Sequence, residues 1–173
     1  MTRTLALAAL TLTLSPLGAR AAETTPPLGD RKLAVLAGVG TTTAGYGLQA
    51  ELRFGRHFSA FGGFGYSPES QGEYSSRRAE GAGVAGGLRA YTPGRIHQAF
   101  VEVAVAPITS EQGTQGLFLR YAPTFQAGWQ MIRPGGFTLV LSLGVGHAPA
   151  NAQLESDTSG VFSIGLGHTW RRK

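Results

Sequence analysis

The sequence predicts an all-β protein, an eight-stranded antiparallel up-and-down transmembrane β-barrel. Three observations lead there. Apolar residues recur at every second position in segment after segment, the spacing of a strand with two unlike faces. The connections between segments alternate in length, short then long. Charged residues make up 14% of the 173-residue chain and glycine supplies 26 positions without a collagen-like period. Ordinary soluble domains carry about 25% charged residues.

The chain divides into residues 1–21, which read as a signal peptide, and residues 22–173, the barrel domain. Arg3 supplies a basic start, Leu5 to Leu14 an apolar core, and Ala19-Arg20-Ala21 a small-residue cleavage site. The apolar core is followed by Pro16 and is too short to span a bilayer as a helix. There is no cysteine, which excludes a disulfide scaffold but not export. The formal net charge of +5 includes Arg3 and Arg20 of the signal. No basic run with interleaved aromatics is present apart from the tail Arg171-Arg172-Lys173, so nucleic-acid binding is not expected.

After a Pro-containing lead, the first strand is expected over about Lys32–Gly40, with Leu33, Val35, Ala37 and Val39 on one face. A short Thr41-Thr42-Thr43 turn leads to the second, Gly45–Phe54, the cleanest alternation in the chain. There Tyr46, Leu48, Ala50, Leu52 and Phe54 interleave with Gly47, Gln49, Glu51 and Arg53. Gly55-Arg56-His57 turns into the third, Phe58–Tyr66. The fourth spans Gly81–Thr92, with Val84, Leu88 and Ala90 opposite Gly83, Gly87, Arg89 and Tyr91. A turn at Pro93–His97 leads to the fifth, Gln98–Ala106, where Val101, Val103 and Val105 oppose Glu102. The sixth, Leu117–Met131, places Tyr121, Phe125 and Trp129 opposite Arg120, Thr124, Gln126 and Gln130; its Pro123 is expected at a rim, where a lost ladder bond is tolerated. Phe137 to His147 and Gly160 to Trp170 form the last hairpin.

The connections near residues 56, 95 and 134 are short, and those over Ser67–Glu80, Pro107–Gly116 and Ala148–Gly160 are long. Bacterial barrels pair short periplasmic turns with longer external loops, which assigns the termini to the periplasm. Charge divides the same way. Arg31, Lys32, Arg56, Arg95, Arg133 and the basic tail lie at the short-turn end, while Glu69, Glu73, Glu80, Glu111, Glu155 and Asp157 lie at the other against Arg77 and Arg78.

Which face meets which medium is decided by the polar phase. In a soluble lipocalin-like barrel that phase would meet water and be rich in charge. Here it is mostly Gly, Ala, Ser, Thr and Gln, and its mid-strand charges are Glu51, Arg53, Arg89, Glu102 and Arg120. None falls on the apolar phase. Aromatics of the apolar phase gather at strand ends, with Phe54, Phe58, Trp129, Phe137 and Trp170 at one level and Tyr46, Tyr66 and Phe162 at the other. That is the girdle pattern of a barrel in lipid, apolar outward and polar inward.

The last strand carries Ser163, Gly165, His168 and Trp170 in the spacing polar-x-Gly-x-x-apolar-x-aromatic, with His168 at the apolar position and three basic residues after the aromatic. This resembles the terminal strand of bacterial outer-membrane barrels, which the insertion machinery recognises. The whole barrel domain is similar in architecture and spacing to the small eight-stranded family that includes OmpX and the OmpA transmembrane domain. That resemblance implies a Gram-negative outer-membrane location, contact with outer-membrane lipid and lipopolysaccharide, and a monomer.

An eight-stranded barrel is only wide enough for its own side chains. Glu51, Arg53, Arg89, Glu102 and Arg120 are therefore expected as an ion-pair network in the lumen, with Arg89 and Glu102 facing each other if the Pro93–Gln98 turn closes symmetrically. A gated ion path is the alternative role for these charges. A catalytic site is not expected. The lipid A 3-O-deacylase family places a His-x-Ser pair near this barrel position, whereas this chain reads His147-Ala148-Pro149. His57, His97, His147 and His168 lack metal-ligand spacing, and no glycine run precedes a helix, so neither metal nor cofactor is expected. The expected role is structural or surface interaction through the long loops. A porin-like passage for small solutes or ions, a lipid A-modifying enzyme and a soluble lipocalin-like carrier are the alternatives.

Overall fold

A computed structural model describes residues 31–67, 81–113, 116–150 and 156–171. The expected signal peptide, the Ser67–Glu80 loop beyond Ser67, the centre of the last loop and the final Arg172-Lys173 lie outside the described residues. Eight strands follow in order: β1 Arg31–Gly40, β2 Gly45–Phe54, β3 Phe58–Ser67, β4 Gly81–Tyr91, β5 His97–Gly113, β6 Gly116–Ile132, β7 Phe137–Ala148 and β8 Asp157–Arg171. Each pairs antiparallel with its sequence neighbour, and β1 pairs with β8 to close the barrel. Closure leaves no free sheet edge at its girth, which is why alternation can persist through every strand.

The apolar phase points outward. Leu48, Leu52, Phe64, Val84, Leu88, Val103, Phe125, Leu143 and Leu166 are all exposed, with Leu143 at 71%. The polar phase points inward: Gln49, Glu51, Ser59, Arg89, Glu102, Gln126, Gln130 and Thr138 are at most 2% exposed. This is the reverse of a water-soluble barrel, and it is the orientation the distribution of charge along the strands predicts.

The interior is filled by unequal walls. Phe61, Arg89, Tyr91, Phe100 and Glu102 project from β3, β4 and β5. Small inward positions on β6, β7 and β8, among them Gly128, Ser142, Gly144, Ser163 and Gly165, interleave with Gln126, Gln130 and Val140. Phe100 lies over Gly128, its cross-strand partner, so closely that a Cβ there would collide with the ring. The glycine richness of the chain is thus in part a packing requirement, large against small.

Three elements depart from the expected ones. The segment Pro107–Gly116, expected as a loop, continues β5 and β6 as a paired hairpin that extends to Gly113–Gly116, with a register shift between Pro107 and Thr109. Its polar composition hid the ladder because the alternation there is broken by the bulge. The last loop is likewise shorter than expected, since β7 runs to Ala148 and β8 starts at Asp157. The Thr41–Thr43 turn is a 3-10 turn folded into the barrel, with Thr42 and Thr43 at 2% and 1% exposure. Pro123 pairs with Val105, while the β6–β7 ladder ends at Thr124–Gly146. The missing N–H therefore falls where β6 parts from β7, consistent with the rim position expected of it.

Candidate functional site

The feature with the densest chemistry is a charged cluster across the middle of the lumen. β2 brings in Glu51 and Arg53, β4 brings Arg89 and Tyr91, and β5 brings Glu102. In each case the inward phase of a regular strand aims the side chain, and the register sets its level: Arg89 pairs directly with Glu102. Arg89 sits between two carboxylates. Its Nε donates to Glu102 Oε2 at 2.6 Å and its Nη1 to Glu51 Oε2 at 2.9 Å. The second oxygen of Glu51 accepts from the Tyr91 hydroxyl at 2.6 Å and lies 3.4 Å from Arg53 Nε.

Amide side chains extend the cluster to both walls. Gln126 Nε2 donates to Glu102 Oε1 at 3.2 Å, and Ser142 Oγ donates to Gln126 Oε1 at 2.9 Å. Arg53 Nη1 donates to Gln98 Oε1 at 2.9 Å, and its Nη2 donates to Gln130 Oε1. A continuous polar chain therefore runs from β2 to β7: Arg53, Glu51, Arg89, Glu102, Gln126, Ser142. Aromatic faces cover the guanidinium groups. Arg53 lies 4.3 Å from the Tyr91 ring centre, and Arg89 lies 4.5 Å from that of Phe61 and 4.9 Å from that of Phe100.

Two carboxylates and two guanidinium groups balance to zero formal charge, and nearly every oxygen and nitrogen has a partner. That is the condition under which buried charge is tolerated. Such a cluster cross-links strands and fills space.

Of the five charged residues expected together, Glu51, Arg53, Arg89 and Glu102 meet. Arg120 does not join them: it pairs in register with Thr109 and donates to the Pro149 carbonyl. Six residues separate it from Gln126 along β6, roughly 20 Å at about 3.3 Å per residue. The β5–β6 bulge and the long hairpin place it at the loop rim. Sequence reasoning missed the amides and aromatics that complete the cluster. Gln49, Gln98, Gln126 and Gln130 all sit on the charged phase, and that shared phase was the available signal. Phe61 and Phe100 gave none, because an inward aromatic runs against the apolar-outward rule.

The terminal-strand residues divide by face. Ser163 and Gly165 point inward, Ser163 accepting from the Thr42 N–H at 3.1 Å. His168 and Trp170 lie on the outer face with ring centres 4.7 Å apart. His147 Nδ1 lies 2.9 Å from Thr158 Oγ1 across the β7–β8 ladder. A hydroxyl is therefore present, but it is exposed and the described residues place no carboxylate against the imidazole. Among the described residues no group of three His, Cys, Asp or Glu side chains could hold a metal ion.

Fold and site together define a class: a closed eight-stranded barrel with an apolar exterior and a charge-balanced cluster inside. Comparison with protein-family models, curated proteins and solved structures finds no match to this chain.

Proposed function

We propose that this chain is an integral outer-membrane β-barrel protein, exported through a cleaved signal peptide, of the small eight-stranded kind. In this reading it has a structural or surface-interaction role at its loop end and no catalysis. The observation that supports it is the inverted barrel. About twenty large apolar side chains cover the outside while the ion pairs are inside. Burying one such side chain gains about 1.5–3 kcal/mol, so leaving this belt half-exposed to water would forgo on the order of 20 kcal/mol. That exceeds the roughly 5–15 kcal/mol by which a domain is stable.

The dimensions agree with this reading. Tyr46 and Phe54, at the two ends of the belt on β2, are eight residues apart, roughly 26 Å along the strand and about 20 Å along the axis at a tilt of about 40°. The apolar band of such barrels is ~25 Å tall. Phe54 and Phe58 stack at the short-turn end with ring centres 6.4 Å apart, and Tyr46 pairs with Tyr66 at the other. In this reading the strands make the crossing. Insertion would draw on the barrel-assembly machinery, with Ser163, Gly165, His168 and Trp170 as the terminal signal.

The reading is tested by electrophoretic mobility of the outer-membrane fraction with and without boiling. A heat-dependent shift in that fraction is expected. A soluble periplasmic protein without a shift would overturn it. Single-channel conductance and mass spectrometry of lipid A from expressing cells separate the pore and enzyme alternatives.

A further inference from the structure

We propose that the Thr41–Thr43 turn is a gate in the mouth of the barrel, hinged at Gly40 and Gly45 and latched from inside by Ser163 and Gln49. Connections in a barrel of this kind ordinarily stand off its rim. This one enters the lumen, and Ala44, which closes it, is 1% exposed.

The latch is polar and small. The Thr42 N–H donates to Ser163 Oγ at 3.1 Å, and Thr41 Oγ1 donates to the Phe162 carbonyl at 3.3 Å. On the opposite side, the Gln49 amide is oriented by its neighbours. Its nitrogen donates to Thr42 Oγ1 at 3.0 Å and its oxygen accepts from Arg89 Nη1 at 2.9 Å. Gln49 thus joins the turn to the charged cluster below. The rest of the seat is bare backbone. A Cβ at Gly63 would collide with the Thr42 carbonyl, and one at Gly65 with the Thr43 carbonyl. The strand walls are shaped to admit the turn.

The hinges are glycines at the last pair of the β1–β2 ladder. Gly40 has φ 125° and Gly45 φ 105°, with Ala44 in the left-handed region at φ 52°. Inside the turn, Thr43 Oγ1 lies 2.7 Å from the Gly45 carbonyl and 3.2 Å from that of Gly40, the two acceptors its one hydrogen can reach, which ties the two hinges into one unit.

A second observation gives the gate a partner in the wall. The described β4–β5 ladder ends at Gly86–Val105, although β4 continues to Gly81 and β5 to Gly113. Where it ends, Ala85 and Ala106 cluster with Ala44 on the inside. Outside, the Tyr121 hydroxyl accepts from the Val84 N–H at 3.2 Å. The turn therefore covers the inner side of this seam. Its departure would expose Gln49, the Arg89 end of the cluster and the Ala85–Ala106 seam to water and small solutes.

The chain has no cysteine, so a single one reports alone. Thr42→Cys and, as an exposed control, Ala150→Cys are folded in detergent and treated with a hydrophilic maleimide. Thr42→Cys should label about a hundredfold more slowly than the control yet well before the barrel unfolds, as local opening requires. Adding Ser163→Ala should speed it roughly five- to tenfold, the factor for losing one buried hydrogen bond, with the folded electrophoretic form retained. Exchange of the Thr42 amide proton in the unmutated chain gives the same opening rate without relying on either variant. Labelling as fast as the control would mean that the turn does not lie in the lumen. Labelling and exchange only at the rate of global unfolding would make the turn a fixed filler. Either result overturns the gate. Neither depends on the membrane reading, because both are measured on the folded barrel itself.

Discussion

Arg89 and Glu102 are direct cross-strand partners on β4 and β5, and the Arg89 Nε to Glu102 Oε2 distance is 2.6 Å with both side chains fully buried. The same guanidinium holds Glu51 from β2. One cation thus bridges two anions from different strands, and Arg53 beside Glu51 completes the charge balance. Arg89→Ala leaves both carboxylates buried with that charge gone, and the expected cost is about 3–5 kcal/mol. Unfolding in urea from lipid vesicles should show it. Adding Glu102→Gln to Arg89→Ala should recover a large part of the loss, because Glu51 then remains with Arg53 and the cluster is neutral again. No recovery would mean that the cluster acts by packing alone.

Tyr91 tests the other end of the cluster. Its hydroxyl donates to Glu51 at 2.6 Å, while its ring lies under Arg53 and 5.5 Å from the Phe100 ring centre. Tyr91→Phe keeps the ring and removes the hydroxyl. The expected loss is about 1.5–3 kcal/mol, the range for hydrogen bonds to charged groups. Tyr91→Leu should cost more, since it also removes the face over which Arg53 sits. Equal losses in the two variants would assign the contribution to the hydroxyl alone.

Gly128 and Phe100 test the large-against-small packing. A side chain at Gly128 meets both the Phe100 ring and the Leu141 carbonyl, and Phe100→Leu can relieve only the first. Gly128→Ala should therefore destabilise the barrel by about 1–3 kcal/mol, and Phe100→Leu in the same chain should relieve part of it. The readout is the coupling between the two changes in a double-mutant cycle. Additive effects would show that the two positions do not compete for space.

Much of this fold was legible because a closed barrel imposes one rule on every strand. Tyr46 to Phe54 states the rule in nine residues, and Arg89 opposite Glu102 follows from turn closure alone. What was not legible depended on events between strands. The bulge between Pro107 and Thr109 shifts the phase of β5, so the extended hairpin read as a loop, and Arg120, on the inward phase of β6 but far along it from Gln126, read as a member of the cluster. The inward Thr41–Thr43 turn is specified mainly by where it lands, beside Gly63, Gly65 and Ser163, and those residues are distant in the chain. Phe61 and Phe100 face inward because facing small positions leave room for them, a relation that alternation within one strand cannot express.

Leu141 decides between lipid and water at the outer face. It lies midway between Phe137 and Val145 on β7, is 39% exposed, and pairs outward-facing with Trp129 and Ile164. Leu141→Arg adds a charge there without touching the lumen. In a bilayer the expected cost is about 2–4 kcal/mol, as for a basic residue at mid-depth on a lipid-facing strand. In water an exposed substitution of this kind changes stability by about 0.5 kcal/mol or less. Arg133, at the β6–β7 turn, supplies the internal comparison: it is exposed at the strand end, where the depth-dependent penalty has fallen away. Leu141→Arg should therefore reduce recovery of folded protein from vesicles far more than Arg133→Leu does. If Leu141→Arg folds as well as the unaltered chain and stays in the soluble fraction, the apolar belt does not face lipid. The outward apolar surface would then call for a protein partner large enough to cover it.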